Sequence, residues 1–504
     1  MQSPIVPPSR AAQQRIEANA RTMLDLRPVG YVIGLTVMAL GCAMLLPLVV
    51  DIAEGRGHWE VFAQSAIMTI LVGGLVAGAC RNGVGDGLNI RQTFLLTTGV
   101  WVVLPLFGAL PFMLGETALD FTDAVFEAMS GLTTTGSTVV TGLDALPKGI
   151  LLWRGIMQWL GGVGIIVVAM VFLPELRVGG MQIFRAESFD TMGKILPRAG
   201  EIASRISVIY LGMTIACMMA YILTGMTPFD ATVHAMTTVS TGGMANYDAS
   251  FGALAPSAEY VATVFMILAA LPIVRFVQLT AGTAQPLLRD PQVRGFFLTI
   301  LSIVGTLTLW QFFQRAHFTE ETFREVLFNV VSIMTGTGYA SENYMLWGPF
   351  AVSIFFFVGL IGGCAGSTSC SVKIFRYQLL FASIRVQLAR IRAPHGIFIP
   401  RYAGKTVGDD VLNSVMSFFV FFTVSLGLIA VLLGLTGLDF ITALSGAATA
   451  LGNIGPGLGD TIGPAGNFAT LNDTAKWILT AAMLIGRLEL LAVYALFTVT
   501  FWRI

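Results

Sequence analysis

One ten-residue outline occurs four times in this chain. It stands first as Ala128-Met129-Ser130-Gly131-Leu132-Thr133-Thr134-Thr135-Gly136-Ser137, then at 235–244, 330–339 and 447–456. Aligned without gaps on Gly136, Gly243, Gly338 and Gly455, every copy has a hydroxyl six residues earlier (Ser130, Thr237, Ser332, Thr449). Every copy also has an apolar residue four earlier (Leu132, Val239, Met334, Leu451). The glycines are 107, 95 and 117 residues apart. Near-regular self-similarity of this kind marks an internal repeat, and the repeat sets the architecture.

The stretches are polar, too short to cross a bilayer, and set in a greasy chain. Of 504 residues, 55% are hydrophobic and 12% charged, against about 25% charged in a soluble domain. The chain therefore reads as an all-α polytopic membrane protein. Its formal net charge of zero gives no global field for nucleic acid. Five cysteines lie mostly in apolar runs without metal spacing and read as buried free thiols.

A spanning helix needs about 20 apolar residues. Two candidates, 29–50 and 61–80, precede the repeats. Pairs at 92–114 and 149–174, 202–225 and 257–281, 294–313 and 347–381, and 410–436 and 474–502 then flank one stretch each. The expected organisation is a cytosolic N-terminal tail (1–28), two extra transmembrane helices (29–90), and repeats over 91–199, 200–293, 294–408 and 409–504. Lys and Arg concentrate in the tail, at 81–91, 175–205 and 282–294, and in 373–405. By the positive-inside rule both termini are cytosolic, and the four stretches enter from outside.

Each stretch follows helix-compatible sequence. Asp123, Asp230, Glu325 and Thr442, thirteen residues before the glycines, suit a helix N-terminus. The opposite end directs partial negative charge into the membrane. Non-helical backbone at that depth must be buried by protein or wetted. Its carbonyls, turned to one side by glycine, can replace the water shell of an alkali cation. The rival reading, glycines serving helix packing, does not explain four aligned copies.

Further residues carry a family resemblance over about 29–504. Gln158-Trp159-Leu160-Gly161-Gly162-Val163-Gly164-Ile165, Gly179-Gly180-Met181-Gln182 with Arg185-Ala186-Glu187, Gly455-Pro456-Gly457-Leu458-Gly459, and Gly486-Arg487-Leu488-Glu489 resemble the superfamily of potassium transporters that includes the Trk, Ktr and HKT proteins, and within it the TrkH branch. The resemblance implies four M1–pore-loop–M2 repeats in pseudo-fourfold arrangement. By motif it implies a potassium filter of Thr134, Thr135 and Gly136; Thr241, Gly242 and Gly243; Gly336, Thr337 and Gly338; and Asn453, Ile454 and Gly455. Glycine in all four repeats accompanies potassium selectivity in that family. The resemblance also implies a bacterial inner membrane location, a homodimer and a cytosolic nucleotide-binding TrkA-type regulatory subunit. Potassium is then the ligand, with no organic cofactor.

The small polar run from Ile361 to Lys373 interrupts an apolar span. It reads either as a kinked, tightly packed helix or as a loop. The resemblance implies an intramembrane gating loop, with Gly362, Gly363, Gly366, Ser367 and Thr368 as gate residues. The family is richer in glycine where this chain has Ser369, Cys370 and Ser371. A charge at mid-membrane costs about 2.5–3.5 kcal/mol on insertion scales. Arg487 therefore either pairs locally with Glu489 or faces the path below the filter and repels cations, the role the resemblance implies. Pro272 is expected to kink its helix, and Arg275 to snorkel.

Two other function classes compete. A sodium- or proton-coupled secondary transporter would show inverted repeats and midplane carboxylates; here the repeats run in one direction. An intramembrane enzyme would need a nucleophile–base pair or metal ligands, and the four histidines form no such motif. Gly404-Lys405-Thr406 resembles the end of a P-loop, but Ile399 replaces its first glycine.

Overall fold

The computed structural model describes residues 25–55, 57–83, 88–168, 199–315 and 319–502. Most of the N-terminal tail lies outside these residues, as do the motifs at 179–182 and 185–187. The regular secondary structure of the described residues is helical apart from one two-residue-per-strand ribbon, in which Arg401 pairs Thr406 and Tyr402 pairs Lys405. Ala403 and Gly404 turn that ribbon with φ of 50° and 80°, the signs a tight hairpin turn requires. This gives Gly404-Lys405-Thr406 a structural role.

The first helices, Arg27–Ala43 and Leu45–Ala53, pack along Trp59–Cys80. Small residues allow the approach: a Cβ on Gly73 would lie 2.7 Å from the Gly34 oxygen and from the Met38 nitrogen. Close backbone contact of this kind holds helices together in lipid. Ile90–Gly108 starts in a capping box, the Asn89 side chain accepting from the Gln92 N–H and the Gln92 side chain from the Asn89 N–H.

Seven described helices are long and apolar enough to span a membrane, or eight if one bent pair is a single span. Three of the ten expected spans are broken. Pro256–Ala269 and Ile273–Thr280 meet at 90°; Pro272 lies in the break, as its missing N–H and fixed φ lead one to expect. Pro349–Ile361 ends at Gly362, and helix resumes only at Ile374. Asp473–Arg487 ends where Glu489 and Leu490 take φ of 63° and 38°.

Four short helices lead to the four stretches: Phe121–Leu132, Pro228–Val239, Glu320–Thr335 and Phe440–Gly452. Their caps are Asp120, Thr227, Thr319 and Asp439, each accepting from a first-turn N–H. The expected acids are thus not the caps. Asp123, Asp230 and Thr442 occupy the third helical position, and Glu325 lies in the second turn because the third helix starts earlier. Hydrogen bonds from the Thr442 hydroxyl and from first-turn N–H groups hold the exposed Asp439 carboxyl below the usual range.

Candidate functional site

The four stretches share one backbone conformation. Gly136, Gly243, Gly338 and Gly455 have φ of 86°, 76°, 84° and 112°. Two residues earlier, Thr134, Thr241, Gly336 and Asn453 are also left-handed, at 51°, 50°, 74° and 48°. The residue between is not. This alternation faces successive carbonyls the same way. The intervening N–H groups of Thr135, Gly242, Thr337 and Ile454 donate back to the carbonyls of Ser130, Thr237, Ser332 and Thr449 at 2.9, 2.8, 2.9 and 3.1 Å. This six-to-one bond closes each helix C-terminus. The residue that bears the recurring hydroxyl thus anchors the turn through its backbone carbonyl.

The four segments also close on each other. A Cβ on Gly136 would run into the Gly242 carbonyl oxygen, one on Gly243 into Thr337, one on Gly338 into Ile454, and one on Gly455 into Thr135. The contacts run from the first stretch to the second, third and fourth, and return to the first. All four glycines line one cavity of about 240 Å³.

Polar side chains hold the outer part of each stretch, three residues past its glycine. Glu127 accepts from the Val139 N–H at 2.9 Å. Asn246 donates to Asp230 at 2.8 Å, Asn329 to Ser341 at 2.9 Å, and the Leu458 N–H to Ser445 at 2.9 Å. Tyr247 donates to Asp230 as well, and burial together with that carboxylate pushes its phenol up to about 12. Arg154 forks behind the first two stretches. It donates to Glu127 at 2.8 Å, to the Ala245 carbonyl at 2.8 Å and to the Thr138 hydroxyl at 3.2 Å. Its side chain and that of Glu127 are 2% and 0% exposed.

Below the ring, residues 362–373 form a buried, ordered loop. Gly362 and Gly366 have φ of 78° and 72°. The Cys364 N–H donates to the Ala270 carbonyl and the Ile273 N–H to the Gly366 carbonyl, so the loop sits in the break beside Pro272. Ser367 donates to the Cys364 carbonyl at 2.6 Å, and Thr368 to the Ala269 carbonyl at 3.1 Å. A Cβ on Gly363 would lie 2.8 Å from Ser369 Cβ. Where more glycine is expected, the Ser369 hydroxyl donates to the Thr335 carbonyl at 2.7 Å and the Ser371 hydroxyl to the Gly359 carbonyl at 2.6 Å, while the Ser371 N–H donates to the Gly452 carbonyl at 3.1 Å. Thr335 and Gly452 are the last residues of the third and fourth short helices, whose terminal carbonyls lack helical partners. The departure from glycine therefore fastens the loop to the third short helix through Ser369 and to helix Pro349–Ile361 through Ser371.

Arg487 is 3% exposed and points at this loop. It touches the Cys370 sulfur, and reaches the Thr368 carbonyl at 3.5 Å and the Gly161 carbonyl at 3.4 Å. Its Nε has no partner among the described residues. It does not pair with Glu489, which is taken by Lys373 at 2.9 Å and by Arg376. Arg275 pairs with Asp290 at 2.8 Å. His234 donates its Nδ1–H to the Asp230 carbonyl at 2.9 Å and packs against Phe251, a structural placement.

Sequence reasoning did not single out Glu127, Arg154 or Lys476, and it named Lys373 and Glu489 without pairing them. Their signal is an ionisable side chain in an apolar surrounding, which by default marks a functional element in a membrane protein. Lys476 lies 2.5 Å from Asp123 at the start of the first short helix.

The family model described as "TrkH: Cation transport protein" matches residues 58–502. A Halomonas elongata relative, "Trk system potassium uptake protein TrkI", is 46% identical over 485 residues, covering 96% of this chain and 98% of its own. The Salmonella typhimurium "Trk system potassium uptake protein TrkH" is 36% identical over 491 residues, 95% of this chain and 100% of its own. The crystal structure of "the Potassium Transporter TrkH from Vibrio parahaemolyticus" superposes with a TM-score of 0.87 at 32% identity, covering 95% of this chain and 100% of that one. The chain accordingly belongs to the TrkH family of cation transport proteins, polytopic helical membrane proteins that transport rather than catalyse.

Proposed function

We propose that this protein is a potassium-selective uptake pathway of a Trk system, in which the four stretches form a carbonyl filter around a central pore. The observation that carries the reading is the closed cycle of contacts from Gly136 through Gly243 and Gly338 to Gly455 and back to Thr135. The carbonyls before each glycine belong to Thr135, Gly242, Thr337 and Ile454, and they replace water around a dehydrating cation. The short helices aim their negative dipole ends at the same region. Uptake is driven by the membrane potential, about 2.3 kcal/mol per charge per 100 mV. Gly362, Gly363, Gly366, Ser367 and Thr368 form the closing loop beneath the filter, and Arg487 adds a repelling charge there.

The protein works as a homodimer in the bacterial inner membrane, with both termini cytosolic. A nucleotide-binding regulatory subunit of TrkA type acts on the basic cytosolic face. The named relatives, potassium uptake proteins of Trk systems, support the ion and the system.

The test is flux into liposomes holding the purified protein, comparing potassium, rubidium, sodium and lithium for wild type, Gly136→Ser, Gly338→Ser and Arg487→Ala. The expected result is potential-driven potassium and rubidium entry, with sodium admitted once a filter glycine is replaced. Flux that requires a sodium or proton gradient and ignores the glycine changes would favour a coupled transporter instead.

A further inference from the structure

Only the second stretch carries two adjacent glycines, Gly242 and Gly243. Gly243 has the left-handed φ of 76° and faces the third stretch. Gly242 needs no left-handed backbone, for its φ is not positive. It is glycine for another reason: an added Cβ would sit inside the amide of Gln158.

Gln158 comes from the preceding repeat, on helix Lys148–Val167, and is 0% exposed. Its Nε2 donates to the Gly242 carbonyl at 2.6 Å, and its Oε1 accepts from the Met244 N–H at 3.1 Å. One amide thus brackets Gly243 on both sides. The other stretches solve the same position differently. Thr135 and Thr337 place their own hydroxyls there, each bonded to a threonine two residues earlier at 2.7 and 2.8 Å. Ile454 fills it with an apolar side chain.

The four carbonyls that face the next glycine in the ring are therefore unequal. Among the described residues, the Gly242 oxygen accepts a side-chain hydrogen bond, and those of Thr135, Thr337 and Ile454 do not. A carbonyl supported from behind cannot close in on a smaller cation, so the ring stays sized for the larger, weakly hydrated one.

We propose that Gln158 is a specificity-determining positioning residue: its amide holds the Gly242 carbonyl in the place that favours potassium over sodium, the support that threonine hydroxyls give the first and third stretches. This rests on the filter reading above. Gln158 acts through the carbonyl and does not itself touch the ion.

The structure also supplies a rescue. Because Gly242 has an ordinary φ, the threonine arrangement of the first and third stretches can be transplanted by the double change Gln158→Ala with Gly242→Thr. Rubidium and sodium uptake are measured in proteoliposomes for wild type, Gln158→Met, Gln158→Ala, Gly242→Thr and the double variant, with Gly136→Ser as filter control. Gln158→Met is expected to lower the rubidium-to-sodium ratio about three- to tenfold, the size of one net hydrogen bond, mainly by admitting sodium. Gly242→Thr alone is expected to abolish uptake, and the double variant to return the ratio to within about twofold of wild type, a coupling that distant sites do not show.

An unchanged ratio in Gln158→Met would overturn the proposal. So would an equal loss of both cations, which is what a merely structural glutamine gives, or a double variant no better than Gln158→Ala. If Gln158→Met does not reach the membrane, the double variant decides: a wild-type ratio supports the proposal and an altered one removes it. A wild type without rubidium preference, or a Gly136→Ser variant identical to it, would instead remove the filter reading and this proposal with it.

Discussion

Lys373 and Glu489 form a buried ion pair, 2.9 Å from Nζ to Oε1, although 116 residues separate them. The pair ties the end of the loop at residues 362–373 to the last long helix, two residues beyond Arg487. Arg376 shares the same carboxylate. Neutralising the acid leaves two buried cations without their counter-charge, so Glu489→Gln is expected to destabilise the protein by about 3–5 kcal/mol. Thermal unfolding of the purified protein in detergent checks this.

Arg487 gives the opposite expectation. It is buried, touches no carboxylate among the described residues, and leaves Nε unpaired. Replacing a buried charge with no ion-pair partner by a side chain of similar length removes a desolvation penalty. Arg487→Met should therefore melt no lower than wild type while passing rubidium faster. A lower melting point with unchanged flux would mean the arginine is a structural strut.

The loop serines are expected to restrain opening. Ser369 donates to the terminal carbonyl of the third short helix and Ser371 to the Gly359 carbonyl. Each bond is worth about 1 kcal/mol net. Ser369→Gly combined with Ser371→Gly should raise basal rubidium flux by about thirtyfold, measured without any regulatory partner. Flux at the wild-type level would show that the loop is held elsewhere.

Gly243 and Gly142 separate backbone strain from collision. Their φ values are 76° and 69°, but a Cβ on Gly142 meets nothing within 4 Å, whereas one on Gly243 meets the Thr337 carbonyl. Gly142→Ala is expected to cost about 1 kcal/mol of stability and to leave uptake intact. Gly243→Ala is expected to abolish selective uptake. Equal behaviour of the two in a rubidium uptake assay would argue against a packed ring.

Arg154 tests geometry against charge. Its guanidinium reaches Glu127, Ala245 and Thr138 together. Lysine keeps the charge but lacks the planar fork. Arg154→Lys should thus lose both thermal stability and rubidium-over-sodium preference, and a lysine variant matching wild type in both would reduce the contact to simple charge pairing.

How much of this was legible in the sequence depends on the distance over which each contact acts. The alignment on Gly136, Gly243, Gly338 and Gly455 was available because the turn bond to the hydroxyl residue six positions earlier is local and recurs in every copy. The breaks at Gly362 and Pro272 were also marked, by residues that cannot continue a helix. The break after Arg487 was not: Leu488 and Leu490 are good helix formers, and their neighbour Glu489 departs from the helix while bound to Lys373 and Arg376. The caps were misplaced by one turn, since an acid at the third helical position and an acid at the cap look alike in sequence. The pairs Arg154–Glu127 and Lys373–Glu489, and the amide of Gln158 on Gly242, leave no spacing signal because their partners lie on other helices.

The ring of mutual glycine and carbonyl contacts is made from four non-identical segments of one continuous chain. In an assembly of identical subunits every substitution at such a ring is repeated by symmetry. Here a single codon alters one wall and spares the other three. Under the proposed filter reading, ion preference can therefore drift in quarter steps, each wall having its own support, as Gln158 supplies to one and a threonine hydroxyl to two others.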